Sequence, residues 1–257
     1  MSTKMKPSSL ISGVALGAML AVSSASQAAI WSSTSFLMHS GTDYKNAFTN
    51  ADYDQTTVTL EHADGWKYGD NFFFFDISEP NNPSSGFYGE FSPRLSLGKI
   101  SGKDLSFGFV KDVSLAATWE FGEVTNAKLF GFGFDLDIPG VPVAKVNIYN
   151  RYSENSNFPG EVSSAPQVTL VWMAPFSIGY TNWLFEGFLD YAWAEKEVGK
   201  TEDNIVAQPR LLMDVGDLWG APKQLYAGIE YMYWKNKFGQ KGVDDEGVPQ
   251  LTVKWTF

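Results

Sequence analysis

The amino-acid sequence predicts an all-β protein, a transmembrane antiparallel up-and-down β-barrel of about 12 strands. Three observations lead there. Runs of nine to twelve residues alternate apolar and polar side chains along most of the chain. Aromatic residues make up 16% of the sequence beside a charged share of only 19%. The chain also closes on an alternating strand whose last residue, Phe257, is aromatic. A period of two is the signature of a strand with unlike faces, and nine to eleven residues is the reach of a tilted strand across a bilayer.

Composition removes several alternatives. The formal charge of −10 over 257 residues argues against a nucleic-acid partner, which calls for a Lys/Arg surplus. A mean hydropathy of −0.16 is too polar for a bundle of membrane helices. Cysteine is absent, excluding disulfides, thiolate metal sites and a Cys nucleophile, and only two histidines occur.

The first segment reads as a secretory leader over residues 1–28, with the barrel over 29–257. Lys4 and Lys6 precede the apolar run LISGVALGAMLAV, and Ser26 and Ala28 fit a small-x-small cleavage site. Cleavage would remove two lysines and no acid, leaving a more acidic chain outside the cytoplasm.

Strands are expected near 30–38, 55–64, 69–78, 86–97, 110–121, 126–137, 142–153, 165–175, 182–193, 203–214, 223–234 and 249–257. The uncharged stretch Val162–Phe185 looks at first like a spanning helix. Its prolines Pro166 and Pro175 instead mark two strands meeting at a turn near Pro175–Gly179. Segments 39–54, 79–85, 154–164, 194–202 and 235–248 read as polar loops at one end, with a short turn at 122–125. Segments 98–109, 139–141, 176–181 and 215–222 read as the connections at the other. An even strand number brings both termini to one side, as an outer-membrane barrel requires. In the last strand Leu251, Val253, Trp255 and Phe257 share one face, the form in which barrels present themselves to outer-membrane assembly machinery. Tyr68, Trp119, Trp183, Trp193, Tyr233, Trp234 and Trp255 are candidates for interfacial aromatic girdles.

If apolar faces point to lipid, their alternates point inward. The inward set then holds Glu61, Asp76, Glu90, Arg94, Glu120, Asp135, Asp137, Lys145, Asn147, Arg151, Glu186, Asp190, Gln208, Arg210, Asp214, Glu230 and Lys254. Acids outnumber bases, against an arginine-lined anion pore. Strand DNFFFFDIS places either Phe72 and Phe74 or Phe73 and Phe75 inward, so aromatic rings sit beside carboxylates in either register. Such a wall suits a flat, polar, roughly neutral solute, or else rings that fill a narrow barrel.

The segments TLEHADGWKYGDNFFFFDIS (Thr59–Ser78), GKDLSFG (Gly102–Gly108), GFGFDLDIPG (Gly131–Gly140), EYMYWKNKFG and the ending QLTVKWTF resemble the nucleoside-specific channel-forming Tsx family, including its OmpK-type phage receptors. The similarity runs from residue 55 to Phe257, and Ile30–Asp54 matches poorly. The resemblance implies a monomeric twelve-stranded outer-membrane barrel with a narrow lumen of aromatic and ionisable side chains. It implies a passive channel for nucleosides or similar small polar solutes, without cofactor or metal. The cluster around Phe72, Phe74 and Asp76 is similar in kind to the family's solute-lining arrangement. The expected lumen contacts are Glu61, Phe72, Phe74, Asp76, Glu90, Arg94, Asp135, Asn147, Arg151, Glu186, Arg210 and Glu230.

The competing reading is a plugged barrel that serves surface recognition, with a bacteriophage as partner, through loops 39–54, 154–164 and 235–248. An enzyme is disfavoured, because His39 falls at a strand end and His62 on the lipid face, leaving no positioned imidazole. The GFGF piece lacks the strand-to-helix context of a phosphate loop, and Asp244, Asp245 and Glu246 read as a solvated acidic turn rather than a calcium site.

Overall fold

The computed structural model describes residues 29–47, 49–80, 86–123, 125–154, 162–195 and 202–257. The expected leader lies outside the described residues, as do parts of the expected loops 79–85, 154–164 and 194–202. The strands are β1 (Ala29–Lys45), β2 (Asp52–Trp66), β3 (Gly69–Pro80), β4 (Gly86–Ser96), β5 (Val110–Gly122), β6 (Asn126–Leu136) and β7 (Val143–Glu154). They continue as β8 (Val162–Ile178), β9 (Thr181–Ala192), β10 (Asn204–Ala207), β11 (Arg210–Asp214), β12 (Leu225–Lys235) and β13 (Glu246–Thr256).

Neighbours along the chain pair antiparallel, and β1 pairs with β13, for example Phe36 with Trp255 and Met38 with Val253. The sheet therefore closes and has no free edge. β10 and β11 both pair with β9 and β12, so they are one barrel strand interrupted at Gln208 and Pro209, and the barrel has twelve staves. Proline has no N–H for the ladder. The carbonyl of Pro209 still accepts from the Tyr231 N–H at 2.9 Å, and the Gln208 N–H donates to Phe188 at 3.0 Å. Gly187 faces this break at φ 154°, where a Cβ would lie 2.4 Å from the Gln208 carbonyl; the close approach requires glycine.

Burial is inverted relative to a water-soluble domain. Phe130, Phe132, Ile148, Phe185, Leu211, Ile229 and Leu251 are exposed on the outside, while Glu61, Arg94, Glu120, Glu186, Arg210 and Glu230 are buried inside. Only a surrounding apolar solvent makes that distribution stable, and closure satisfies the backbone that lipid cannot. A charge on the outer wall should therefore be costly. Phe132→Arg, near the middle of β6, is expected to lower folding stability in lipid vesicles by about 2–4 kcal/mol, read from urea titration. A loss below about 0.5 kcal/mol would place Phe132 outside the hydrocarbon, near its interfaces.

The structure corrects several expected boundaries. The region 39–54 is mostly strand: β1 runs to Lys45 and β2 starts at Asp52. A register shift between Gly41 and Tyr44, with Asp43 at φ 66°, keeps Tyr44 inside, where it stacks on Tyr53 at 5.5 Å. That bulge broke the alternation and concealed the strand. β13 likewise begins at Glu246, within the expected loop 235–248, and the turn expected over 176–181 shrinks to Gly179 and Tyr180. The segment 98–109 opens on a one-turn helix, α1 (Leu97–Ser101), whose N-terminal Ser96 accepts from the Lys99 N–H at 2.9 Å. Trp234, expected in a girdle, shares the inward register with Glu246 and donates its indole N–H to Asn204 at 2.7 Å. Trp119, Trp183, Tyr233 and Trp255 keep the outward register, Trp193 is exposed just past β9, and Tyr68 lies in the β2–β3 turn.

Candidate functional site

Strand register gathers most of the ionisable side chains in the lumen, in three groups. The first bridges β9, β11, β12, β13 and β2. Arg210 on β11 donates to Glu61 at 2.6 Å, to Glu230 at 2.5 Å and to Glu186 at 3.3 Å. Lys254 on β13 donates to Glu186 at 2.6 Å and lies 3.4 Å from Glu61. The Arg210–Glu61 bond passes over three intervening staves, so it is a chord across the lumen rather than a contact along the wall. Gln250 donates to Glu230 at 2.9 Å and accepts from the Tyr44 hydroxyl; His39 lies 3.0 Å from the Thr252 hydroxyl.

The second group lies across the lumen on β4, β5, β7, β8 and β9. Arg151 grips Glu120 with both terminal nitrogens, one contact at 2.6 Å, and donates to Gln167 at 3.0 Å. Glu195, just past β9, turns inward to accept from Ser153 at 3.0 Å and Ser163 at 2.8 Å. Glu90 accepts from the Tyr88 hydroxyl at 2.6 Å, and Asp190 from Thr169 at 2.5 Å.

The third group is nearer the end that carries both termini. Arg94 donates to Asp135 at 2.8 Å and stands 3.6 Å from Asp70, which takes Lys145 at 2.7 Å. Nε and Nη2 of Arg94 and Oδ1 of Asn147 are buried without hydrogen-bond partners among the described residues. They lie flat against Gly133: a Cβ there would sit 2.5 Å from the Asn147 oxygen and 2.8 Å from Arg94 Nε. Glycine at 133 lets the guanidinium rest on the wall instead of standing into the lumen.

Between these groups runs an aromatic strip. The pairing of Phe74 with Glu61 and of Asp76 with Thr59 settles the register of β3: Phe72, Phe74 and Asp76 face inward, and Phe73 and Phe75 outward. The rings of Phe72 and Phe74 are 6.0 Å apart, and those of Phe74 and Tyr88 5.7 Å apart. Phe72 is 38% exposed although it faces inward, so the lumen is accessible there; Arg210 and Glu230, at 8% and 2%, mark where it narrows.

All twelve expected lumen residues fall on the inward register. Glu61, Glu186, Arg210 and Glu230 come together in the first group, Arg151 sits in the second, and Arg94, Asp135 and Asn147 in the third. Asp137, also expected inside, lies beyond β6 with its side chain exposed beside Lys111 at 3.5 Å. Alternation was carried one residue pair too far there. The sequence reading missed Tyr44, Tyr88, Gln250, Glu195, Lys237 and Glu246. Tyr88 was legible, since it stands two residues from Glu90 on the same face. Lys237 was not: it comes from a 3-10 turn beyond β12 and reaches back to Glu246 at 2.9 Å. His62 does face outward, where it pairs with Thr34 at 2.7 Å and lies 3.5 Å from Asp64.

Comparison with known proteins identifies the family. The family model of the nucleoside-specific channel-forming protein Tsx matches residues 29–257. The outer membrane protein OmpK of Vibrio parahaemolyticus is 29% identical over 138 residues, 51% of this chain and 51% of that protein. The chain spans about half the length of the curated relatives it matches. Among solved structures the KdgM porin covers 87% of this chain and 99% of its own at 10% identity and a TM-score of 0.47. The NanC porin covers 86% and 98% at 12% identity and a TM-score of 0.48. Family match, closed barrel and inverted burial converge: the chain belongs to the family of the nucleoside-specific channel-forming protein Tsx and is an outer-membrane β-barrel.

Proposed function

We propose that the barrel is a passive, selective path for nucleosides or similar small polar solutes. The observation that carries the reading is the inward strip of Phe72, Phe74 and Tyr88 flanked by the carboxylates of Asp76 and Glu90. Ring faces hold a flat solute by stacking, and carboxylates accept from its hydroxyl and amino groups. The family's description as nucleoside-specific supports the same solute class. The chain acts as a monomer in this reading, with a leader over residues 1–28 removed before assembly in the outer membrane.

Liposome swelling tests it. Vesicles holding the purified barrel should swell faster in isotonic nucleoside than in a disaccharide of similar size. Equal swelling in both would reject solute selectivity. No swelling at all from a correctly folded barrel would favour the plugged reading, in which the chord from Arg210 to Glu61 seals the lumen and the protein serves surface recognition, for instance of a bacteriophage.

A further inference from the structure

We infer that the lumen favours cations over anions, and that Asp76, Glu90 and Asp190 set that preference. The inference rests on the channel reading above and adds the charge class of what passes.

Among the described residues the lumen cations are already engaged. Arg210 has three carboxylates, Lys254 two and Arg94 two. Lys145 is held by Asp70, Arg151 by Glu120 and Glu195, and Lys237 by Glu246. An incoming anion would have to displace a carboxylate from each of them, inside a wall with surplus negative charge. Arg94 does keep two unpartnered nitrogens, but they lie against Gly133, where even a Cβ would be 2.8 and 3.0 Å away. That leaves no room for an anion between them and the wall.

Asp76, Glu90 and Asp190 are in the opposite condition. Each accepts from a neutral hydroxyl: Asp76 from Thr59 at 2.6 Å, Glu90 from Tyr88 at 2.6 Å, and Asp190 from Thr169 at 2.5 Å. No Lys, Arg or His nitrogen lies within 4.0 Å of any of the three among the described residues. A carboxylate has about four acceptor positions, so one hydroxyl, joined at Asp190 by the nearby Gln167 side chain, leaves capacity unused. β3 and β9, which carry Asp76 and Asp190, are also the staves where the first charge group gives way to the others. The unspent carboxylates therefore border the gap between groups, where a solute passes. A hydrated potassium ion or an organic ammonium finds acceptors there that no basic side chain has taken, while an anion finds every lumen cation already engaged.

The test is the zero-current potential of the whole barrel in a planar bilayer under a potassium chloride gradient. Potassium should permeate over chloride by roughly ten-fold, the lower end of the enrichment that a cleft lined by one sign of charge produces. Asp76→Asn with Asp190→Asn should carry the ratio several-fold toward unity, with folding checked by heat-modifiable migration in gels. Glu90→Gln, measured alone, should shift it the same way and keeps the test decisive if the double variant fails to fold. A chloride preference, or an unchanged ratio in a folded variant, overturns the selectivity and leaves the channel standing. Absence of conductance from a folded barrel overturns the channel reading, and the selectivity with it.

Discussion

Replacing Arg210 with methionine is expected to destabilise the barrel by about 3–5 kcal/mol, because removing one partner of a buried ionic group leaves charge uncompensated. Arg210 is 8% exposed and is bonded to Glu61, Glu186 and Glu230. Lys254 would still reach Glu61 and Glu186, but among the described residues Glu230 would retain only Gln250 as a donor besides the nearby His39. Methionine keeps the apolar stem as far as the position of Nε, so what the change removes is the guanidinium, its charge and the space it fills. Urea unfolding in vesicles reads the effect, and Glu230→Gln in the same chain should restore part of it by removing the stranded carboxylate. A loss under about 1 kcal/mol would show that the network is solvated like a surface pair rather than buried. Conductance of the same variant adds a functional readout. Since the Arg210–Glu61 chord crosses the lumen, its removal should widen the path and raise single-channel conductance.

The second large effect concerns the solute. Phe72→Ala with Phe74→Ala should weaken any block of ion current by nucleosides roughly ten-fold, as each ring contact contributes about 0.5–1.5 kcal/mol. Phe73→Ala with Phe75→Ala serves as the control: the chemistry is the same, but the rings are on the lipid face, where Phe75 packs on Phe87 and Phe121 at 5.9 and 6.4 Å. Block should weaken in the inward double variant and persist in the outward one. Unchanged block in the inward variant would remove the aromatic strip from the solute path.

Period-two alternation made much of this architecture readable beforehand. The ladder Leu225, Ala227, Ile229, Tyr231, Tyr233 and the closing Leu251, Val253, Trp255 named both the strands and their faces, because a one-residue slip would turn every charge into lipid. Alternation failed where a strand departs from regularity. At Gly41–Tyr44 a bulge changes parity, and the expected loop proved to be strand. At Gln208–Pro209 one stave is broken in two. Beyond strand ends, Glu195 and Lys237 turn inward from irregular segments that have no period to follow.

The four phenylalanines of β3 show the same boundary within the candidate site. Their run satisfied either register, so which pair faces the lumen depended on the partner strand: Glu61 opposite Phe74, and Thr59 opposite Asp76.

What the chain determined by itself was a local property, the alternation of unlike side chains at bilayer-spanning length, and from that the barrel, the membrane and the inward list. What tertiary structure decided was pairing across the hollow: that Arg210 reaches Glu61 over three staves, that Arg151 takes Glu120, and that Asp76, Glu90 and Asp190 are left with hydroxyls. Strand periodicity follows from backbone geometry and repeats every two residues. A contact across a barrel depends on closure, stagger and side-chain reach, which couple residues as far apart as 61 and 210.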